Sequence, residues 1–409
     1  IHYIILVGLL SGLLLSGICR AQDDIRLKVR SEQVSLIPVM VREFKATPVS
    51  RLSDPVRKVV LNDLDLSGFF RIIKQGSESA EVPPAAIGVE GRLSVSGREI
   101  TLGLRLVELN SGREIMSEEF RANMRGIRAL AHKCADEVVY FLTGYRGIAT
   151  TRIAFVHKQG KAKEITAIDY DGYGYNSITT NGSLNISPDW SPDGSKLAFT
   201  CFYSGNPDLV LFNMRSRQYT NITFRDELHS GPAWSPNGKK IVFAMTKSGN
   251  SDIYTVRPDG SGLQQLTFTA ALESGPCWSP DGRQIAFTSG RSGTPQVYIM
   301  NNDGSNVRRL IFEGEYNASP AWSPPGDQIA FVSRRKGAFQ ICTVSVSGSG
   351  IRQLTDSSGS NENPCWSPNG MFIAFASSRS GSWDIYVMRS SGGGLRRLTH
   401  SGGNEAPAW

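Results

Sequence analysis

Trp190-Ser191-Pro192-Asp193-Gly194 returns as Trp234-Ser235-Pro236-Asn237-Gly238 and as Trp278-Ser279-Pro280-Asp281-Gly282. It returns again as Trp322-Ser323-Pro324-Pro325-Gly326 and Trp366-Ser367-Pro368-Asn369-Gly370, at a constant step of 44 residues. Trp409 stands 43 residues beyond Trp366. A second element keeps the same step: Ile153-Ala154-Phe155, Leu197-Ala198-Phe199, Ile241-Val242-Phe243, Ile285-Ala286-Phe287, Ile329-Ala330-Phe331 and Ile373-Ala374-Phe375. A third is the Asp252-Ile253-Tyr254 type, and a fourth is Leu-Thr, at Leu266-Thr267, Leu354-Thr355 and Leu398-Thr399. Self-similarity at such a period is the mark of a repeat architecture.

Each unit holds four short β-like segments separated by turns. Ser-Pro-Asp-Gly is a hairpin connection with a mechanism: Pro presets φ, Asp or Asn follows, and Gly supplies the left-handed residue. Four antiparallel strands per repeat make one blade of a β-propeller. The short strands and the 42 glycines exclude a helical solenoid. Six Ile-Ala-Phe elements and six Trp elements occur out of phase, and a ring resolves this. Ala406 to Trp409 is expected to supply the inner strand of the blade begun by Arg152–Val156, which removes an exposed edge. Trp190, Trp234, Trp278, Trp322, Trp366 and Trp409 are read as structural side chains packed between sheets. Truncating one is expected to cost about 3–5 kcal/mol.

Residues 22–145 show no trace of the period and read as a small α/β domain preceding the propeller of residues 146–409. Ser35–Val41 is a strand. Asp54–Leu66 is a helix capped by Asp54, with Pro55 in its first turn. Phe69–Ile73 is a strand, followed by a meander over Ile87–Val95, Ile100–Glu108 and Glu114–Phe120. A second helix spans about Gly126 to Leu142, with Ile127, Leu130, Ala131, Cys134, Val138 and Phe141 on one face. Residues 1–21 read as a cleaved secretory leader. Tyr3–Ile18 is its apolar core, and Cys19 and Ala21 are its small residues. Export is therefore expected.

Composition narrows the function. The chain has 409 residues, 40% of them apolar, so it can build a core and is not disordered as a whole. Only one long apolar run occurs, against a polytopic membrane protein. Residues 22–150 carry 19 basic and 17 acidic side chains, and residues 151–409 carry 24 and 20. Neither is a polycation, so no nucleic acid is expected as partner. Beyond the leader, Cys134, Cys201, Cys277, Cys342 and Cys365 are scattered and form no disulfide framework or CxxC pair.

Blade geometry points to a binding rim. The Trp strand is innermost, so the residues leading into it lie at one mouth of the channel. These are His229-Ser230-Gly231, Glu273-Ser274-Gly275, Asn317 with Ser319, Asn361-Glu362, and Asn404-Glu405. Loops on a rigid scaffold commonly carry binding. The hairpin residues His157 and Arg334-Arg335-Lys336 fall on the same side, the latter a basic cluster.

The leader, the small α/β domain and the six blades together resemble the TolB family, the periplasmic propeller proteins of the Tol–Pal envelope system. The carrying segments are Ile37-Pro38-Val39, Leu61–Phe70, Gly126–Tyr145, Thr151–Phe155 and Asp169-Tyr170-Asp171-Gly172-Tyr173. The resemblance implies a non-catalytic, monomeric protein with no cofactor. It implies binding of the peptidoglycan-associated lipoprotein Pal at the channel mouth, where Gly231-Pro232 and Gly275-Pro276 match. It further implies contact with TolA through the N-terminal segment Asp23–Val34, other outer-membrane lipoproteins as further candidates, and support of outer-membrane integrity and constriction at division.

Two other classes are weighed. A propeller hydrolase or lyase would need a nucleophile or a metal. No GxSxG elbow occurs, and His157, His229 and His400 share no blade position, so neither a catalytic nor a metal site is assigned. A glycan- or small-molecule-binding propeller would need stacking aromatics at the mouth, and Tyr316 is the main one found there.

Overall fold

The structure is a computed structural model that describes residues 36–47, 50–74, 83, 85–223, 227–247 and 249–409. The expected leader and the Asp23–Val34 segment lie outside these residues.

The N-terminal region is one mixed sheet with two helices. Its strands are β1 (Ile37–Val41), β2 (Lys45–Thr47), β3 (Phe70–Ile72), β4 (Ile87–Ser96), β5 (Glu99–Glu108) and β6 (Glu114–Asn123). They run in the order β3-β1-β4-β5-β6, with β2 also on β4. The helices are α1 (Ser53–Ser67) and α2 (Ile127–Thr143), each ended by a glycine in the left-handed conformation, Gly68 and Gly144. Asp54 is not the cap expected from the sequence. A 3-10 turn over Ser50–Leu52 already brings Leu52 into helical geometry, so Asp54 falls inside the first turn. There it pairs with Lys58 one turn on, at 2.7 Å.

Six four-stranded sheets follow. Their inner strands are Asn185–Trp190, Leu228–Trp234, Glu273–Trp278, Asn317–Trp322, Asn361–Trp366 and Asn404–Ala408. The last of these pairs antiparallel with Arg152–Gln159, placing Glu405 opposite Val156 and Ala408 opposite Ala154. The chain therefore closes its own ring. Each interior core spans two adjacent blades. Trp234, for instance, packs with Ala198 and Leu211 of the sheet before it and Phe243 and Tyr254 of its own. The repeat phenylalanines Phe155, Phe199, Phe243, Phe287, Phe331 and Phe375 are fully buried.

Every inner strand carries the same irregularity. Ser187, Gly231, Gly275, Ser319, Asn363 and Ala406 have φ of 53°, 59°, 55°, 52°, 52° and 47°. Each precedes a proline, and the ladder slips its register at this point in all six blades. The bulge is a property of the blade, which only two of the six sequences satisfy with glycine.

The two faces of the ring differ. One bears the Ser-Pro-x-Gly turns and receives the connection from the N-terminal domain: Asn369 in such a turn donates to Arg146 O at 3.1 Å. The other, the loop face, bears the connections between blades and the hairpins between second and third strands.

Candidate functional site

The residues leading into the inner strands sit on the loop face as expected, but five of the twelve expected contact residues are interior. His229, Glu273, Asn317, Asn361 and Asn404 are all buried, as is Asn185 at the same position of its blade. They bind neighbouring blade segments. Asn317 Nδ2 donates to Gln296 Oε1 at 2.8 Å, Asn361 Nδ2 to Gln340 Oε1 at 2.9 Å, and Asn404 Nδ2 to Asp384 Oδ1 at 2.9 Å. His229 Nδ1 lies 3.1 Å from Pro207 O. Glu273 accepts from Arg291 and, at 3.1 Å, from Ser289 Oγ. Arg379 donates in the matching way to Asn361 Oδ1 at 2.6 Å. These residues join each connection to the blade before it and have no surface to offer a partner.

The adjacent position looks outward. Ser230 and Ser274 are exposed, and Glu362 and Glu405 are half-buried. Burial, with the charge of Glu405 beside it, raises the Glu362 carboxyl above its ordinary range. Glu405 is itself held by Lys163 Nζ at 2.6 Å. Gly231, Gly275 and Ser319 lie deeper, at the bulge, where they line the channel. In the basic cluster, Arg334 and Lys336 are exposed and Arg335 is half-buried.

What sequence reasoning passed over is a one-sided arc of exposed apolar side chains on this face. Tyr203, Leu228, Phe268, Leu272 and Phe312 are 75%, 51%, 76%, 68% and 75% exposed, and Leu184 is exposed too. They occupy successive connections and one hairpin on a single stretch of the rim. The remaining connections carry small and polar residues, Ser357 to Ser360 and His400 to Gly403. A readable signal existed. Phe268 and Phe312, like Phe224 in the sequence, directly follow the fourth-strand motif, where the remaining three blades have Thr180, Asp356 and His400. Clustered large apolar groups in water mark an interaction surface more than single ones do.

The channel is a cavity of about 770 Å³, lined by the six inner strands with their Trp and Pro side chains. The tryptophans act structurally here. Trp278 Nε1 donates to Ala233 O at 3.2 Å and Trp366 Nε1 to Ala321 O at 2.9 Å, each across to the preceding blade. Trp409 Nε1 donates to Thr151 Oγ1 at 2.7 Å. One carboxylate interrupts this wall. Asp189 accepts from the Trp234 N–H at 2.7 Å, and burial pushes its pKa up to about 7. Cys277 and Cys365 hold the equivalent position two and four blades on. They are half-buried, lining the channel and packed against blade cores, and burial pushes the Cys277 thiol up to about 12.

Among the described residues, the propeller histidines form no cluster with acidic or thiol side chains. The one grouping of such donors within 4.8 Å is Asp63, His132 and Asp171, between the N-terminal domain and the propeller.

Comparison with known proteins agrees with this architecture. Residues 140–409 match the family described as the TolB beta propeller domain. The chain belongs to the TolB propeller family. TolB from Acinetobacter baumannii superposes with a TM-score of 0.81 at 24% identity, over 91% of this chain and 96% of that one. A putative TolB from Agrobacterium tumefaciens superposes with a TM-score of 0.54 at 23% identity, over 62% of this chain and 91% of that one. The TolB homologue of Chlorobium chlorochromatii is 37% identical over 208 residues, 47% of each chain. The Tol-Pal system protein TolB of Actinobacillus succinogenes is 29% identical over 217 residues, 48% of this chain and 50% of that one. The chain spans about half the length of the curated relatives it matches. No helix among the described residues is long and apolar enough to cross a membrane.

Proposed function

We propose that this protein is a non-catalytic, periplasmic protein-binding component of a Tol–Pal system. It grips Pal on the loop face of the propeller, contacts TolA through the segment around Asp23–Val34, and so supports outer-membrane integrity and constriction at division. The observation that carries the reading is the exposed apolar arc of Tyr203, Phe268, Leu272 and Phe312. It stands beside Ser230, Ser274, Glu362 and Glu405 on a rim held rigid by the buried residues beneath. Aromatic anchors encircled by polar groups are the usual composition of a protein-binding hot spot. Family membership supports the choice of system, and the arc supports the choice of face.

The test is affinity capture on immobilised Pal. The double substitution Phe268→Ser, Leu272→Ser should weaken binding by at least tenfold while leaving the melting temperature within a few degrees of the parent. Unchanged affinity in a folded double variant removes the arc from the interface. A parent chain that fails to bind Pal removes the partner.

A further inference from the structure

A buried polar bridge ties the N-terminal domain to the propeller. Asp63 on α1 is 2% exposed and His132 on α2 is 3% exposed. Asp63 Oδ2 lies 2.7 Å from His132 Nδ1. Asp63 Oδ1 accepts from Tyr170 Oη at 2.9 Å, and Tyr170 belongs to the propeller, in the turn after the strand Ala162–Asp169. One carboxylate thus connects two helices and a blade. The other ring nitrogen, His132 Nε2, is buried with no hydrogen-bond partner.

The charged surroundings decide what that nitrogen does. From α2 itself comes Arg128, which pairs with Asp171 and lies 3.8 Å from Asp169. From the propeller come Asp169, Tyr170 and Asp171. Behind them, Arg152 lies 3.5 Å from Asp169, and Arg396 donates to Tyr170 O at 3.0 Å. A metal ion fits poorly. Asp171 is already held by Arg128, and both oxygens of Asp63 are taken by His132 and Tyr170, so no open set of donors remains. A proton fits better. The neutral ring donates through Nδ1 and leaves Nε2 a bare buried acceptor, while the Asp171 carboxylate is near enough for its charge to act on the ring. Protonation of Nε2 turns that acceptor into a donor and places a positive charge between Asp63 and Asp171.

We propose that Asp63, His132 and Tyr170 form a proton-operated latch, which clamps the N-terminal domain to the propeller when His132 carries both ring protons and slackens when the second is lost. Burial works against charge on the imidazole, but the hydrogen bond and charge of Asp63, with Asp171 behind it, outweigh it and raise the pKa. Burial raises Asp63 as well, against its bonds to His132 and Tyr170. For a histidine raised on docking, the contribution is complete below the ordinary value of about 6.5 and is lost as pH climbs through the raised value. The latch is therefore tight in mild acid and looser in alkali. It does not depend on the identity of any partner of the loop face.

Two measurements on the full chain test this. The imidazole of His132, followed by NMR, should titrate above about 6.5. Titration at or below that value overturns the latch. The radius of gyration from small-angle scattering should increase as pH climbs from mild acid, below the ordinary histidine value of about 6.5, through the raised value of His132. In His132→Gln it should be independent of pH. A parent chain with no such change, or a His132→Gln variant that keeps it, also overturns the latch. If His132→Gln does not fold, Tyr170→Phe removes one of the two bonds to Asp63 and should move the onset of expansion to lower pH. An unmoved onset counts against the proposal.

Discussion

Asn404 Oδ1 lies 2.8 Å from His157 Nδ1, joining the last inner strand to the first strand of the ring. The amide of the same side chain reaches Asp384 in the preceding blade, so one asparagine fastens three segments at the closing seam. Deleting Ala406–Trp409 removes the pairing of Ala408 with Ala154 and the Trp409–Thr151 bond. Loss of the indole alone should cost about 3–5 kcal/mol. We expect a drop in melting temperature of about 10 °C or more, on the scale that relates stability to midpoint for a chain of this size. An unchanged midpoint would argue against closure by this strand.

The buried rim residues should behave as structure and their exposed neighbours should not. Asn361→Ala removes its bonds to Gln340, Ser377 and the partly buried Arg379, leaving Gln340 to Thr355 and Ser357, and Arg379 to Ser377 alone. Its cost should be about 1–3 kcal/mol. Ser230→Ala, on the exposed position, should stay within about 0.5 kcal/mol of the parent. Urea denaturation of the two variants side by side measures the contrast.

The bulge makes a conformational prediction at Gly275, where φ is 55°. A Cβ there would meet Ser319 Cα at 3.9 Å, so space is not limiting. Gly275→Asn should therefore cost under about 1 kcal/mol, as Asn enters the left-handed region readily. A β-branched residue does not, and Gly275→Val should cost about 1–3 kcal/mol. Equal stability of the two variants would show that the left-handed geometry is not required.

Asp189 should carry a pH signature. Its pKa is raised by burial to about 7, far above that of an unfolded aspartate, so stability falls as pH rises between the unfolded value and about 7. Asp189→Asn keeps an acceptor for the Trp234 N–H without the charge. Allowing for the side chain's partial access to the channel, it should stabilise the protein by about 1–3 kcal/mol at pH 8. The advantage should vanish near pH 4, where the aspartate is neutral. Thermal melts across this range check both ends.

Asp384 should act with the opposite sign. Burial would raise its pKa, but bonds from Thr399, Asn404, Arg397 and the Gly402 N–H outweigh this and hold it below the ordinary value. Its stabilisation is present above the unfolded value and lost as pH falls through the lowered one. Asp384→Asn should flatten the acid side of the stability profile and lower stability at pH 7. Loss of charge-assisted bonds of this kind costs about 1.5–3 kcal/mol.

The blade architecture was legible because each repeat must bury the same pattern. Ile-Ala-Phe became the second strand in every blade, and the phase mismatch between Trp409 and Ile153 located the seam. The partner face was legible only as a face. A polar residue in a loop reads as solvated, and nothing near Asn361 in sequence says that Gln340, 21 positions earlier, waits beneath it. The same averaging hid Phe268, which extends an apolar strand motif and so reads as core, although its side chain is 76% exposed. The Asp63–His132–Tyr170 bridge joins positions 69 and 107 residues apart, a distance that no local pattern spans. Asp54 was displaced from its expected cap by a 3-10 turn whose onset no residue type announces.

Pairing residues 404–408 with 152–159 also sets an order of events. Five sheets can form as their segments become available, each leaning on the one before. The sixth has no inner strand until residues 404–408 have been delivered. Until then the second strand of that sheet presents a bare edge, and no ring exists to shield it. Such a chain commits to its circular form last. Any agent that arrests it short of residue 404 leaves an unclosed, adhesive intermediate.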